Sequence, residues 1–483
     1  MDGSARDGAS LSQAGVRAPR LRDVGLATLA GLLALLLAAP GQFTDPFAFY
    51  DDFPILFDWW PLYFEKTLSE GRWVNFAWQY LVGPLDRHAA HVVVASAWAA
   101  ICAILSAAVF RGDARPWRAM LGAVAMTLAP PFTALLPWAN TLVPIILIVL
   151  AYAVVAVWAP ARVAVAGFFV FAVLGVMSYT TSPFIMALAL VLARDWRGWE
   201  RAAGLVALVG AGIGFGILLI HLLNWQVHGV FGVELDPSRV GEGGVQSAVG
   251  ATAQRATLDV IAPFLFVLLL MPPLLALAVV RARSLPVLAL LGCGVGLLVL
   301  IMWSTGARTP LRGMVFVWLI HVALLALVAR DAQARAVRGL ALGMLAVSVV
   351  LGVLYWRHFL GLVAPSQQMT TAIAEALPEG APILVYGGPH KVPGIRNLHV
   401  DDPSRDPSVD WSVALRLHAL TGRQACVCNR ISAAFEPVGY CPAAETRAAC
   451  VASAAAALAL VPGGEMPAIG SGAGGAVIVR FAD

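Results

Sequence analysis

The segment Leu21 to Ala39 reads LRDVGLATLAGLLALLLAA, and it is almost continuously apolar after its first turn. At a rise of about 1.5 Å per residue, about 20 such residues cross the hydrocarbon core of a bilayer as a helix. The run is longer than the apolar core of a typical secretory signal, and Ala39-Pro40 is a poor cleavage site. We therefore expect this segment to be a membrane span that anchors the chain.

Ten further apolar runs follow this segment. The whole chain is 60% hydrophobic and only 12% charged, whereas soluble domains carry about 25% charged residues. The runs at 163–177 and 183–193 are short, so a tilted or re-entrant pair there would lower the count of spans from eleven to nine. The sequence predicts an all-α polytopic membrane bundle over residues 21–360, with the remaining runs at 88–110, 117–136, 141–158, 202–223, 258–280, 285–303, 311–328 and 339–356.

Arginines are distributed unequally between alternate loops. The N-terminal segment 1–20 and every second loop hold most of them, including Arg17, Arg111, Arg194 and Arg330. Because loops rich in Lys and Arg stay in the cytoplasm, this bias places segment 1–20 inside and the C-terminal tail outside. The net charge of +4 largely reflects these inner arginines, and it indicates a lipid bilayer surface as partner, not nucleic acid.

The two longest outer loops cover residues 40–87 and 224–257. The first contains FYDDFPILFDWW at 49–60, which brings Asp51 and Asp52 to a membrane exit among aromatic residues. Acids in this position favour a functional site, and the alternative is ordinary loop residues beside an interfacial aromatic belt. Residues 61–68 predict a short helix on the membrane surface that ends at Gly71. The glycine-rich second loop predicts either a flap over substrate or a passive linker.

A candidate anion site lies at Thr309-Pro310, which predicts an N-cap followed by proline at the first helical position. Arg308 precedes this helix start and Arg312 lies within its first turn. A helix N-terminus with two guanidinium groups suits a phosphate. The alternative is that both arginines extend to lipid headgroups.

The tail beyond the last apolar run predicts a separate small α/β domain at 364–483. Its patterns indicate a helix at 367–377 capped by Ser366, a strand at 383–386, a helix at 411–420 capped by Asp410, a helix at 454–460 and a strand at 476–481. Four of the six cysteines lie here. In an oxidising compartment they predict two disulfides that join the Cys426/Cys428 pair to Cys441 and Cys450 in an order that the spacing leaves open. A zinc site is the alternative, but the spacing does not match the usual paired motifs.

The predicted topology, with Tyr50-Asp51-Asp52 followed by Gly71-Arg72, resembles the GT-C glycosyltransferases, which are multi-span enzymes with a catalytic Asp in the first outer loop. More narrowly, these residues resemble the Asp-Asp and Gly-Arg-Pro pattern of the glucosyltransferases that modify bacterial O-antigen, a part of lipopolysaccharide. Trp73 stands where that pattern has proline. The topology resemblance covers residues 21–360, the motif covers 50–73, and the tail matches no family.

This resemblance implies that a sugar moves from a polyprenyl-phosphate carrier to a cell-surface glycan or lipid-linked acceptor. The reaction would occur on the periplasmic side of the bacterial inner membrane, where the C-terminal domain would also lie. Asp52, or else Asp51, would take the acceptor proton. No metal cofactor is required because a lipid phosphate is already a good leaving group, although a divalent ion such as Mg²⁺ or Mn²⁺ between the Asp pair and the phosphate stays open.

Basic and aromatic residues complete the implied site. Arg308 and Arg312 would hold the donor phosphate, with Arg72 as an alternative that pairs with the acids. Trp59 and Trp60 would stack on a sugar face, or anchor the loop in the membrane.

Two other functions fit part of the same pattern. A transporter or flippase for a lipid-linked saccharide would need the bundle and the phosphate-binding groups but no base. A non-catalytic assembly partner would act through its C-terminal domain. The sequence shows no inverted repeat of the kind common in transporters. It also lacks the motifs of nucleotide hydrolysis, serine hydrolysis and zinc hydrolysis, so these three chemistries have no support.

Overall fold

The computed structural model describes residues 18–47, 59–194, 196–234, 262–305, 311–388, 392, 408–428, 444–463 and 466–481. Within these ranges a helical bundle is followed by a small domain that contains a β-sheet. Seven of the described helices are long and apolar enough to cross a bilayer. The class of a helical membrane protein with a small C-terminal α/β domain is therefore confirmed, whereas the number of spans and their orientation stay predictions.

Every apolar run of the sequence contains a helix where the structure describes it, but the run predicted at 117–136 is not one continuous span, because its helix ends at Thr127 and only a short helix at Pro130–Thr133 follows. The first part of the bundle contains α1 (Leu21–Ala38), α2 (Gly41–Thr44), α3 (Trp59–Glu70), α4 (Trp73–Leu81), α5 (Arg87–Val109), α6 (Pro116–Thr127), α7 (Pro130–Thr133) and α8 (Ala139–Trp158). The second part contains α9 (Ala161–Val176), α10 (Ser182–Arg194), α11 (Gly198–His228), α12 (Ala262–Thr305), α13 (Val315–Asp331) and α14 (Arg335–Ala376). Short 3₁₀ turns at Leu136–Trp138 and Leu311–Met314 precede α8 and α13.

Helix α12 joins two runs that the sequence predicts as separate spans, at 258–280 and 285–303. The backbone leaves helical geometry at Val280 (φ −131°, ψ 39°), so the two runs meet at a break. Arg283, just beyond that break, pairs with Asp331 at the C-terminal end of α13. The break therefore lies at the same end of the bundle as Asp331. Helices α9 and α10 are confirmed as short, with 16 and 13 residues.

Four arginines satisfy backbone carbonyls at one end of the bundle, which we call the arginine end. The last carbonyls of a helix have no intrahelical donor, and lipid offers none. A guanidinium both donates to these oxygens and complements the negative helix end. The contacts place the C-terminal ends of α5, α8, α10 and α13 at this end, through bonds from Arg111 to Ala193, Arg194 to Ala159, Arg330 to Val109 and Arg338 to Ala332.

Helix α14 connects the bundle to the C-terminal domain without interruption. The helix predicted at 367–377 is the last part of α14, so Ser366 lies inside a helix and does not cap one. Val363 belongs to the bundle core, whereas Met369 and Ile373 belong to the domain core. Because both ends of α14 are packed, the helix continues through Pro365 despite the lost hydrogen bond.

The C-terminal domain has helices on both faces of a four-stranded sheet. Its elements are β1 (Ile383–Tyr386), α15 (Ser408–Thr421), β2 (Ala425–Val427), α16 (Ala444–Ala452), α17 (Ala454–Ala459), β3 (Ala468–Ser471) and β4 (Val477–Arg480). The strand order is β2-β1-β4-β3, with β1 parallel to both neighbours and β3 antiparallel to β4. The predicted strands and the helix at 454–460 are confirmed. Asp410 lies inside α15, which begins at Ser408, and is therefore not its cap.

Asp45, in the loop after α1, fastens this domain to the bundle. Both carboxylate oxygens accept hydrogen bonds from Arg416 of α15, at 2.6 Å and 2.5 Å, and Arg87 of α5 lies 3.6 Å away. Gln367 of α14 donates to the Asp45 carbonyl at 3.0 Å. Burial disfavours the charged carboxylate, but the hydrogen bonds and charge of Arg416 outweigh it, so the pKa of Asp45 is lowered.

Arg416→Ala should loosen this contact, because it leaves Asp45 without its bidentate partner. We expect the free energy of unfolding to fall by about 1.5 to 3 kcal/mol, the range for hydrogen bonds to charged groups. Thermal unfolding of the detergent-solubilised protein measures the change. Asp45→Asn should cost a similar amount, and the double variant little more than either single one. Fully additive losses would show that the two residues act independently.

Candidate functional site

The corner between α3 and α4 places the first group of polar residues. Helix α3 ends at Glu70, and Gly71 follows with a left-handed backbone (φ +70°). A Cβ atom at Gly71 would lie 2.8 Å from a methyl of Ile220 in α11, so glycine is required there for two reasons. The predicted helix end at Gly71 is confirmed. Arg72 then pairs with Glu70, so the corner is closed by an ion pair.

The Tyr179 phenol is influenced by the charges of two basic residues from distant parts of the chain. Arg312 donates a hydrogen bond to this phenol, and the charges of Arg312, Arg72 and Glu70 all act on it. Burial raises the pKa of Tyr179 although both arginines lower it, so the phenol keeps its proton at neutral pH. We call Glu70, Arg72, Trp138, Tyr179 and Arg312 the Tyr179 cluster. It brings together two of the three arginines that the sequence predicts for phosphate binding.

Arg312 has uncharged neighbours in this cluster. Its guanidinium carbon lies 4.9 Å from the centroid of the Trp138 ring, a cation-π contact, and its hydrogen bond goes to a neutral phenol. Among the residues that the structure describes, no carboxylate pairs with Arg312. Its positive charge is therefore held in place by aromatic groups and is open to an anionic ligand.

Helix α4 buries its polar side chains more deeply than its apolar ones. Asn75 and Gln79, one turn apart, are only 1% and 4% exposed. Tyr80 and Leu81 on the other side are exposed. This is the reverse of a helix on a soluble domain. The buried polar face of α4 indicates a polar interior at this end of the bundle.

Asn75 links α4 to the Tyr179 cluster. Its amide donates to the Thr141 carbonyl at 2.9 Å, and its oxygen accepts from the hydroxyl of Ser178, the neighbour of Tyr179. The Val74 amide donates to the Met177 carbonyl at 3.1 Å. The α9–α10 turn thus contacts both α4 and Arg312. Asn75, Ser178, Tyr179 and Arg312 therefore form one continuous polar region.

The opposite face of α4 borders an apolar groove of about 400 Å³. Helices α8 and α9 form its other walls. The groove therefore lies on the same short helix that follows Arg72, and its lining includes Val74, Trp78 and Leu81 of α4, Pro144 and Ile148 of α8 and Phe171 of α9.

Two hydrogen bonds fasten α3 and α4 to the C-terminal end of α11. The Trp73 indole donates to the Asn224 side-chain oxygen at 2.9 Å, and the Thr67 hydroxyl lies 2.8 Å from Nε2 of His228. The Asn224 amide in turn donates to the Gly232 carbonyl at 2.6 Å. The long helix α11 thus holds the corner that carries Arg72.

Several predicted site residues lie outside the described residues. These are Asp51, Asp52 and Arg308, together with the side chain of Trp59 and most of the second outer loop. Trp60 is described: it is 45% exposed, and its ring lies 6.2 Å from that of Tyr80. Its proposed contact with a sugar stays a prediction.

The cysteines of the C-terminal domain confirm part of the predicted disulfide pattern. Cys428 and Cys450 form a disulfide with a Cα–Cα distance of 5.6 Å, and the sulfur of Cys426 lies 3.3 Å from that of Cys450. Cys441 lies outside the described residues. Cys426, Cys428 and Cys450 are also close enough to hold a metal ion, but all three are disulfide-bonded, which disfavours the zinc alternative.

Sequence reasoning missed Glu70, Asn75, Gln79, Trp138 and Tyr179. Of these residues, only Asn75 and Gln79 could have been recognised from the sequence. They are two amides at helical spacing within the otherwise apolar stretch Trp73–Leu81, which predicts a polar face on that helix. Tyr179 lies in a turn between two apolar runs, where nothing in the local sequence indicates contact with Arg312.

Comparisons with known proteins add no family to this description. Searches against protein-family models, curated proteins and solved structures gave no match.

A peptide digest of the non-reduced protein should contain a pair of peptides linked through Cys428 and Cys450. Reduction should separate them, which mass spectrometry of both samples measures. Cys450→Ser should abolish the linked pair and destabilise the domain by about 2 to 4 kcal/mol. Recovery of both cysteines as free thiols from the natively extracted protein would contradict the disulfide.

Proposed function

We propose that this protein is a membrane glycosyltransferase that uses a polyprenyl-phosphate-linked sugar as donor. It transfers the sugar to a cell-surface glycan or lipid-linked acceptor on the periplasmic side of the bacterial inner membrane. The observation that carries the proposal is the position of Arg312. Its guanidinium contacts Trp138 and Tyr179, and the charges of Arg312 and Arg72 both act on the Tyr179 phenol.

These groups suit the phosphate of a lipid carrier. Arginine binds phosphate oxygens through paired N–H donors, and the Tyr179 hydroxyl is a further potential donor. Arg72 remains paired with Glu70, so Arg312 provides the main attraction for the anion, and Arg72 provides a second guanidinium. Arg308 belongs to the same proposed phosphate site.

The apolar groove beside α4 supports a lipid substrate over a soluble sugar phosphate. Arg72 directly precedes α4, and Val74, Trp78 and Leu81 of that helix line the groove. A volume of about 400 Å³ lies within the range of small-molecule sites, about 300 to 1,000 Å³. In the proposal, the phosphate lies at the Tyr179 cluster and part of the polyprenyl chain lies in the groove.

The transfer itself is assigned to the acidic pair. A carboxylate of Asp52, or of Asp51, accepts the proton of the acceptor hydroxyl while its oxygen attacks the anomeric carbon of the donor sugar. The bond between that carbon and the phosphate oxygen breaks, and the arginines stabilise the negative charge that develops on the phosphate. One such displacement inverts the anomeric carbon. The proposed reaction requires no metal. A Mg²⁺ or Mn²⁺ ion that bridges the acids and the phosphate would also be compatible with it.

A transporter or flippase for a lipid-linked saccharide is the second candidate. It is favoured by the same phosphate-binding groups and the same groove, but it needs no base. A protein of that kind would bind the lipid and depend on the arginines, while Asp51 and Asp52 would be dispensable for any sugar transfer. Replacement of Asp51 and Asp52 therefore distinguishes the two functions, whereas both functions depend on the arginines.

Arg312→Ala should weaken binding of polyprenyl phosphate by about tenfold to a hundredfold, since it removes a charge-assisted bidentate contact. Arg72→Ala should have a smaller effect, because Glu70 already engages that guanidinium. Binding to the detergent-solubilised protein can be measured by microscale thermophoresis. Arg357→Ala is the matched control, because Arg357 is an exposed arginine of α14 that donates to the Leu37 carbonyl. Unchanged binding in Arg312→Ala would remove it from the phosphate site.

Asp52→Asn and Asp51→Asn should leave expression and lipid binding intact. Loss of the general base should lower the rate of sugar transfer by at least about a hundredfold in whichever variant removes it. Transfer from a polyprenyl-phosphoryl sugar to cell-surface glycan in membrane vesicles is the measurement. Full transfer activity in both variants would exclude the catalytic assignment and favour the transporter.

A further inference from the structure

Gln79 is a buried amide for which the described residues provide no hydrogen-bond partner. It is 4% exposed, and neither its side-chain oxygen nor its nitrogen is bonded. Burial of an unbonded amide is costly, and nearly all buried polar groups in proteins have a partner. Gln42 in α2 shares this property, but only Gln79 lies on the face of α4 that carries Asn75, which is bonded to the neighbour of Tyr179, and this position makes a bound ligand the partner to test.

The position of Gln79 identifies which part of a ligand it would meet. Asn75 and Gln79 are one turn apart and lie on the same buried face of α4. Asn75 is bonded to Ser178, whose neighbour Tyr179 is bonded to Arg312. Gln79 thus lies one turn beyond Asn75 on the same face of the helix, about 10 Å beyond Arg72 along its axis. The apolar groove lies on the other face of α4.

We propose that Gln79 binds a hydroxyl group of the donor sugar and so determines which sugar-bearing lipids the protein selects. An amide offers both a donor and an acceptor, and a sugar hydroxyl can use either. With the phosphate at Arg72 and Arg312 and the lipid chain in the groove, the polar face of α4 receives the sugar. This inference rests on the proposed function and assigns the sugar subsite within it.

Gln79→Leu tests the proposal, because it removes the amide while nearly preserving side-chain size. The probes are bare polyprenyl phosphate and a panel of polyprenyl-phosphoryl glucose, galactose and mannose, titrated into the full-length protein in detergent. The wild type should bind at least one sugar-bearing lipid about tenfold more tightly than the bare lipid. Gln79→Leu should reduce that ratio to about one without changing the affinity for bare polyprenyl phosphate.

Gln42→Leu is the matched control. Gln42 in α2 is also a glutamine at 1% exposure, and its amide atoms also lack partners among the described residues. It does not belong to α4 or to the Tyr179 cluster, so its replacement should leave the preference for sugar-bearing lipid unchanged. Thermal unfolding of the ligand-free proteins provides a second readout. Because an unbonded amide contributes no hydrogen bond, Gln79→Leu should keep or raise the unfolding temperature.

The outcomes separate this inference from the proposed function. A retained sugar preference in Gln79→Leu would overturn the subsite and leave the phosphate site standing. A large fall in both the unfolding temperature and the affinity for bare polyprenyl phosphate in Gln79→Leu would show that Gln79 has a structural role. That result would also overturn the sugar subsite. An effect of Gln79→Leu on binding of free acceptor glycan alone would place the residue in the acceptor site and also overturn the assignment. If the wild type bound none of these lipids, the proposed function itself would be wrong.

Discussion

The site depends on the reversed polarity of α4. Polar side chains within a membrane protein are stable only where they meet other polar groups or a ligand. Asn75 satisfies this condition through Thr141 and Ser178, which fixes the rotation of α4 about its own axis. Once that rotation is fixed, Gln79 has to face inward and the apolar residues have to face the groove. The two hydrogen bonds of the Asn75 side chain thereby set the orientation of both surfaces.

The sequence predicted the helices well because their signal is local. A long apolar run has to satisfy its backbone internally, so each run contains a helix, although the run at 117–136 is interrupted after Thr127, just before Pro130 and Pro131. Gly71 was predicted correctly for a similar reason, since its backbone geometry is a property of that residue. Tyr179 and Glu70 could not be predicted, because their importance comes from contacts with residues elsewhere in the chain. The prediction of a separate helix that starts at residue 367 was wrong. Helix α14 continues through Pro365 because it is packed on both sides of this proline, and this packing overrides the local effect of the proline.

The C-terminal domain is attached in two physically different ways. Helix α14 is a covalent and continuous helical connection. The Asp45–Arg416 pair is a charged contact that links the domain to the loop after α1 and, through Arg87, to α5. A domain held only by a helix could pivot about it. The second attachment removes this freedom and ties the domain to the segment that leads toward Asp51 and Asp52.

Arginine has opposite roles at the two ends of the bundle. At the arginine end, residues such as Arg111 and Arg330 donate to helix carbonyls that would otherwise lack a donor, so their charges are used within the protein. Arg312 at the other end contacts an indole ring and a phenol, neither of which neutralises it. The distribution of arginines along the sequence predicts the orientation of the chain in the membrane, but it does not distinguish one arginine from another. Their partners distinguish a guanidinium that completes the fold from one that is left to bind a ligand, and by this criterion the phosphate belongs at Arg312.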